Sequence, residues 1–95
     1  MLQLRLSPQA ENDLEKIYLY TFETWGEIKA DQYQDRLYDQ MTGLLSNPFL
    51  GSKYEFKPAY RKLKVAKHLV FYRIEEERLI VIRILHQSMD IMDQL

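Results

Sequence analysis

The run Tyr60-Arg61-Lys62-Leu63-Lys64-Val65, followed by His68-Leu69-Val70-Phe71-Tyr72-Arg73-Ile74 and by Leu79-Ile80-Val81-Ile82-Arg83-Ile84-Leu85, decides the fold. In the first run Arg61, Leu63 and Val65 alternate with Tyr60, Lys62 and Lys64, which predicts a half-exposed strand. Leu69 to Tyr72 and Leu79 to Ile82 are almost continuously apolar, with β-branched and aromatic residues, as inner strands covered on both faces require. The charged stretch Glu75 to Arg78 reads as the turn between them. The three runs together predict a three-stranded antiparallel meander.

Upstream, Leu2, Leu4 and Leu6 alternate with Gln3 and Arg5 as in a short half-buried strand, and Ser7-Pro8 then caps and opens a helix. From Pro8 to Trp25 the residues Ala10, Leu14, Ile17, Tyr18, Thr21, Phe22 and Trp25 recur at three- and four-residue steps. Glu11, Asn12, Asp13, Glu15 and Lys16 fill the opposite face. Gly26 reads as a left-handed terminator, after which Ala30, Tyr33, Leu37, Met41, Leu44 and Leu45 carry a second helix to Asn47-Pro48. Gly43 inside that helix costs about 1 kcal/mol relative to Ala and reads as a mark of close backbone packing. Pro48 to Pro58 is rich in turn residues and reads as a loop. The order strand, two-helix hairpin, three strands predicts one α+β domain over residues 1–95, with both helices packed on one face of the sheet.

Composition narrows the function classes. The chain has no cysteine, which excludes disulfides, thiolate nucleophiles and cysteine metal sites, and two histidines eighteen residues apart make no metal site. Met1 to Leu6 has neither the apolar run of a signal peptide nor the ~20 apolar residues of a membrane span, so a cytoplasmic protein without membrane contact is expected. The net charge of −1 conceals a partition. Residues 1–52 carry four basic against eight acidic side chains, residues 53–73 carry seven basic against Glu55 alone, and residues 74–95 carry two against five. The middle block predicts a positive surface suited to an acidic protein segment or to nucleic-acid phosphate; solvation of an edge strand by lysines is the plainer alternative.

The chain resembles the RelE/ParE superfamily of toxins from type II toxin-antitoxin pairs. The resemblance runs through Ser7-Pro8, Asp13-Leu14, Ile17, Tyr20, Trp25-Gly26, Ala30, Tyr33, Leu45, Pro48, Gly51, Tyr60-Arg61-Lys62, Leu69 to Arg73 and Ile82 to His86. The ending His86-x-x-Met89-Asp90 is similar to the ParE branch. That resemblance implies a plasmid-stabilising, stress-response toxin that inhibits DNA gyrase, is neutralised by a ParD-like antitoxin, and reaches operator DNA only through the antitoxin. It implies no cofactor, any ATP being the gyrase's. Candidate target-binding residues are Trp25, Arg61, Lys62, Arg83, His86, Met89 and Asp90, and candidate antitoxin-binding residues are Tyr18, Phe22, Tyr33, Leu37, Lys62 and Lys64.

The alternative is a RelE-like ribosome-dependent mRNA endonuclease, in which Arg61, Lys62, Lys64 and Arg83 stabilise phosphorane charge and His86 exchanges the proton, with Arg61, Arg83 and His86 as the catalytic set. The tail Met89 to Leu95 lacks Tyr, His, Lys and Arg, which weakens it. Each residue also has a structural reading. His86 and His68 read first as hydrogen-bonded structural groups, Trp25 as core packing, and Arg61 or Arg83 as partners of Glu55 or Asp90. Functional roles are favoured for the two arginines, and charge reversal at either is expected to abolish toxicity with the fold intact. Met89, Ile91, Met92 and Leu95 form an apolar tail that either folds back or meets a partner.

Overall fold

The computed structural model describes residues 1–89 and 91–95, with the backbone alone for Met92; the expectation for Asp90 lies outside the described residues. The chain order is β1 (Gln3–Leu6), α1 (Pro8–Trp25), α2 (Glu27–Gly43), β2 (Ser52–Lys53), β3 (Arg61–Val65), β4 (His68–Glu75), β5 (Arg78–His86) and a helical turn α3 (Ile91–Gln94). The strands form one mixed sheet in the order β1-β5-β4-β3-β2. β3, β4 and β5 are the expected antiparallel meander, and β1 joins it parallel to β5, with Leu4 opposite Leu79 and Leu6 opposite Val81.

The helices lie on one face because that face is apolar in register. Leu63, Val65, Val70, Tyr72, Leu79, Val81 and Ile84 meet Ala10, Leu14, Leu37, Met41 and Leu44 in the main core. A second cluster on the other face joins Tyr54, Phe71 and Leu85 to Tyr60, Leu69, Ile91 and Leu95, so Ile91 and Leu95 of the apolar tail fold back onto the sheet.

Four local expectations are corrected. Two residues of the Pro48–Pro58 loop form β2, with Ser52 opposite Lys62 and Lys53 opposite Arg61. The second helix stops at Gly43, before Leu44 and Leu45, and a Cβ at Gly43 would meet nothing within 4 Å, so this glycine ends a helix and marks no close packing. Gly26 does turn the hairpin alone, at φ 90°, but its ψ of 175° is extended and not left-handed helical; its N–H donates to the Phe22 carbonyl and its carbonyl accepts from Ala30. Trp25, read as core, is 68% exposed at the hairpin tip.

Gly51 is the position where a side chain is excluded by space. A Cβ there would sit 2.6 Å from the Tyr72 hydroxyl and 2.7 Å from the Lys62 carbonyl oxygen. Gly51→Ala is expected to destabilise the fold by about 1–3 kcal/mol, the usual cost of overpacking. In urea denaturation this appears as a lower midpoint with an unchanged slope, and an unchanged midpoint would show that the contact yields freely.

Candidate functional site

The geometry starts from a β-bulge. On β5, Arg83 faces Phe71 and Val81 faces Tyr72, so Ile82 is an extra residue and the ladder opens around it. Helix α1 fills the opening. The Ser7 hydroxyl donates to the Ile82 carbonyl at 2.6 Å while accepting the N–H of Ala10 as the helix cap. One turn and a half further on, Asp13 accepts the Ile84 N–H at 2.9 Å and grips Arg83 at two points, Nε at 2.8 Å and the terminal nitrogen at 3.0 Å. Asp13 was expected on the solvent face of its helix, yet it is only 7% exposed. Its bonds with Arg83 and the bulge satisfy that burial, and the Asp13 carboxylate in turn raises the Arg83 pKa.

Arg83 is therefore engaged by the fold: it pairs with Asp13, and its remaining nitrogen donates to the Gln94 carbonyl at 3.1 Å. Arg61 is also engaged. It points to the helix side of the sheet, donates to the Gly51 carbonyl at 2.7 Å and lies 4.7 Å over the Phe49 ring. His86 closes onto its own turn, where its Nδ1 accepts the Ser88 N–H at 3.1 Å and lies 2.7 Å from the Ser88 hydroxyl. The three residues assigned to a ribonuclease centre are thus held by separate structural bonds.

His68 stands opposite His86 in register, ring against ring at 5.3 Å, with its Nδ1 against the Tyr33 hydroxyl. Burial, followed by the repulsion of His86, lowers its pKa to about 4 and keeps it neutral.

The remaining candidates divide among surfaces. Register places Lys62, Lys64 and Arg73 on the sheet face away from the helices, where Arg5 and Arg78 join them from β1 and β5. The latter two were missed because they lie outside the basic block in sequence and reach it only through the β1–β5–β4 pairing. Met89 is exposed after the last strand. Tyr18, Phe22 and Trp25 form an i, i+4, i+7 stripe on α1. Beside it, a shallow groove of about 440 Å³ is lined by Leu14, Tyr18, Leu19, Gln34 and Tyr38, with Glu11 and Glu15 adding negative charge. Leu19 and Tyr38 were not among the candidates. Tyr33 turns inward, its hydroxyl also meeting the Val65 carbonyl, and Leu37 has no exposed area. Leu37 therefore belongs to the core and offers an antitoxin nothing. Trp25 is exposed at the hairpin tip, twelve residues, roughly 18 Å along α1, from the Asp13 that holds Arg83.

A family model describing the ParE toxin of the type II toxin-antitoxin system, parDE, matches residues 4–91. The chain belongs to the ParE toxin family. It is 41% identical over 88 residues to Toxin ParE1 of Mycobacterium tuberculosis, covering 90% of both chains. It is 35% identical over 91 residues to Toxin ParE1 of Caulobacter vibrioides, covering 95% of this chain and 94% of the relative. The fold matches a chain of the chromosomal ParDE TA system from P. aeruginosa with a TM-score of 0.81 at 21% identity, over 90% of this chain and 96% of that one. This ParE-family chain is thus a toxin of a type II toxin-antitoxin system, and no helix among its described residues is long and apolar enough to cross a membrane.

Two measurements test the geometry. Arg83→Gln and Asp13→Asn should each cost about 2–3 kcal/mol, below the full penalty of a wholly buried pair because Arg83 keeps some solvent, and the double variant less than their sum. Additive losses in urea denaturation would mean that the two groups act independently. The depressed His68 pKa has a defined sign. Between about 6.5 and about 4 the unfolded chain takes up a proton that the folded chain refuses, so stability is complete above 6.5 and falls as pH drops through that window. His68→Gln should flatten this part of the profile, and equal slopes in variant and wild type would remove His68 as its source.

Proposed function

We propose that this toxin inhibits DNA gyrase by binding it, in the cytoplasm, and that a ParD-like antitoxin neutralises it. The observation that carries a binding mode over a chemical one is the commitment of Arg83 to Asp13, of Arg61 to the Gly51 carbonyl, and of His86 to Ser88. A ribonuclease needs a cation free to meet the phosphorane and an acid or base free to exchange a proton, and Arg61, Arg83 and His86, the set assigned to catalysis, are already engaged by the fold. His68, neutral and half-buried against Tyr33, does not replace them. Gyrase as the target follows from membership of the ParE family, not from any one contact.

The apolar hairpin surface supports the antitoxin half of the reading. Tyr18, Leu19 and Tyr38 line the groove, and Leu19, Phe22, Trp25 and Ile28 are exposed, an arrangement that suits an amphipathic partner segment. Lys62 and Lys64 on the opposite sheet face would steer an acidic antitoxin electrostatically. Operator DNA would then be reached through the antitoxin.

The test pairs gyrase supercoiling and DNA-cleavage assays with an mRNA cleavage assay on translating ribosomes, using one preparation of the toxin. Loss of supercoiling with intact mRNA is expected. Cut mRNA with unaffected gyrase would replace this reading with the RelE-like one.

A further inference from the structure

The turn between α2 and β2 is tied to the sheet from below while presenting apolar side chains above. The fully buried Tyr72 donates its hydroxyl to the Pro48 carbonyl at 2.8 Å and accepts the Gly51 N–H at 2.9 Å. The Leu50 N–H donates to the Asn47 carbonyl at 3.1 Å, and β2 begins at once with Ser52. These bonds, with that of Arg61 to Gly51, fix the backbone from Pro48 to Gly51. They place no demand on the side chains at 49 and 50, yet those are Phe, 66% exposed, and Leu, 54% exposed. Phe56 protrudes beyond β2 in the same way. Beside them stand Arg61, which lies 4.7 Å over the Phe49 ring, and Lys53, which faces Arg61 in register.

We propose that Phe49 and Leu50 form a preorganised knob by which the toxin docks on its target, and that the receiving surface is an acidic protein surface containing an apolar cleft. Side chains held on a fixed turn lose little conformational freedom on binding, which is the condition under which two apolar groups act as anchors. The cationic rim selects a partner bearing carboxylates. The knob follows the C-terminal end of α2, roughly 25 Å along that helix from its start beside Trp25, whereas the groove meets α2 at Gln34 and Tyr38. One molecule thus has room for a target at the knob and a neutraliser at the hairpin. The proposal rests on the reading of the chain as a toxin that acts by binding.

The test compares Phe49→Ser/Leu50→Ser, Leu50→Glu and Leu50→Lys with the hairpin variant Leu19→Ser/Phe22→Ser, all on the full chain, with thermal melts to verify folding. Growth inhibition on expression and the concentration for half-inhibition of gyrase supercoiling are the readouts. Phe49→Ser/Leu50→Ser and Leu50→Glu should abolish growth inhibition and raise the supercoiling value by about tenfold or more, Leu50→Lys should lose clearly less than Leu50→Glu, and the hairpin variant should remain toxic. Because Leu50→Glu and Leu50→Lys alter one exposed side chain alike in length of exposure and opposite in charge, a difference between them is not a folding effect. Knob variants that inhibit growth as wild type does would overturn the proposal, and so would equal losses from Glu and Lys at position 50. Conversion of a self-associated form to monomer with toxicity unchanged would assign the knob to a second copy of the chain and overturn it too. If the wild type stops growth but leaves gyrase untouched while the knob variants are harmless, the knob stands and the gyrase reading falls.

Discussion

One carboxylate joins the two layers of this protein. The Asp13 side chain leaves α1, enters the opening of the β5 bulge, closes the Ile84 N–H and holds Arg83 bidentately. Without it, a buried N–H would lack an acceptor and the guanidinium would keep only the Gln94 carbonyl, at the point where the longest strand changes register. Ser7 closes the other side of the same opening through the Ile82 carbonyl. The bulge is thus a socket for the first two turns of α1, and the position of the whole helical hairpin over the sheet follows from it.

The surfaces inherit their separation from this arrangement. With α1 anchored at its N-terminal end, its C-terminal half and the start of α2 project with Phe22, Trp25 and Ile28 uncovered. The sheet face that the helices leave is closed only in part, by Tyr54, Tyr60 and the folded-back tail, where Lys57 donates to the Leu95 carbonyl at 2.6 Å. Around that lid the strand register brings cations from four strands to one side. The exposed apolar area of the hairpin and the cations of the open sheet face therefore occupy different parts of a chain whose overall charge is nearly zero.

The meander, the hairpin and the opening strand were legible because each rests on a local period: alternation in β1 and β3, continuous apolar runs in β4 and β5, and three-to-four spacing in α1 and α2. What escaped depended on contacts between distant residues. Asp13 sits among Glu11, Asn12 and Glu15 and shares their polarity, so nothing nearby separates it from solvent-facing neighbours; only Arg83, seventy residues on, does. The bulge leaves no trace in Val81-Ile82-Arg83-Ile84, where the run is apolar on either register. Leu37 carried the helical period correctly, but periodicity distinguishes an apolar face without saying whether it meets the protein's own core or another molecule. Trp25 continues the same period beyond the edge of the sheet, and so the rule that placed Leu14 inside misplaced it. Phe49 and Leu50 fell in a stretch recognised by its Pro and Gly, where the backbone signal concealed the side chains between them.

The parallel pairing of β1 with β5 also sets an order of events during synthesis. Leu4 and Leu6 lie beside Leu79 and Val81, so the first strand emerges more than seventy residues before its only ladder partner. Until then β1, Ser7 and Asp13 have no place to dock, whereas the α1–α2 hairpin depends on near neighbours in sequence. Loop closure over such a span is slow relative to helix formation. The hairpin's apolar groove is thus available early, while the sheet that orders Tyr72, Arg61 and the Phe49–Leu50 turn is completed last. The nascent chain thus exposes its hairpin surface before the complete toxin exists.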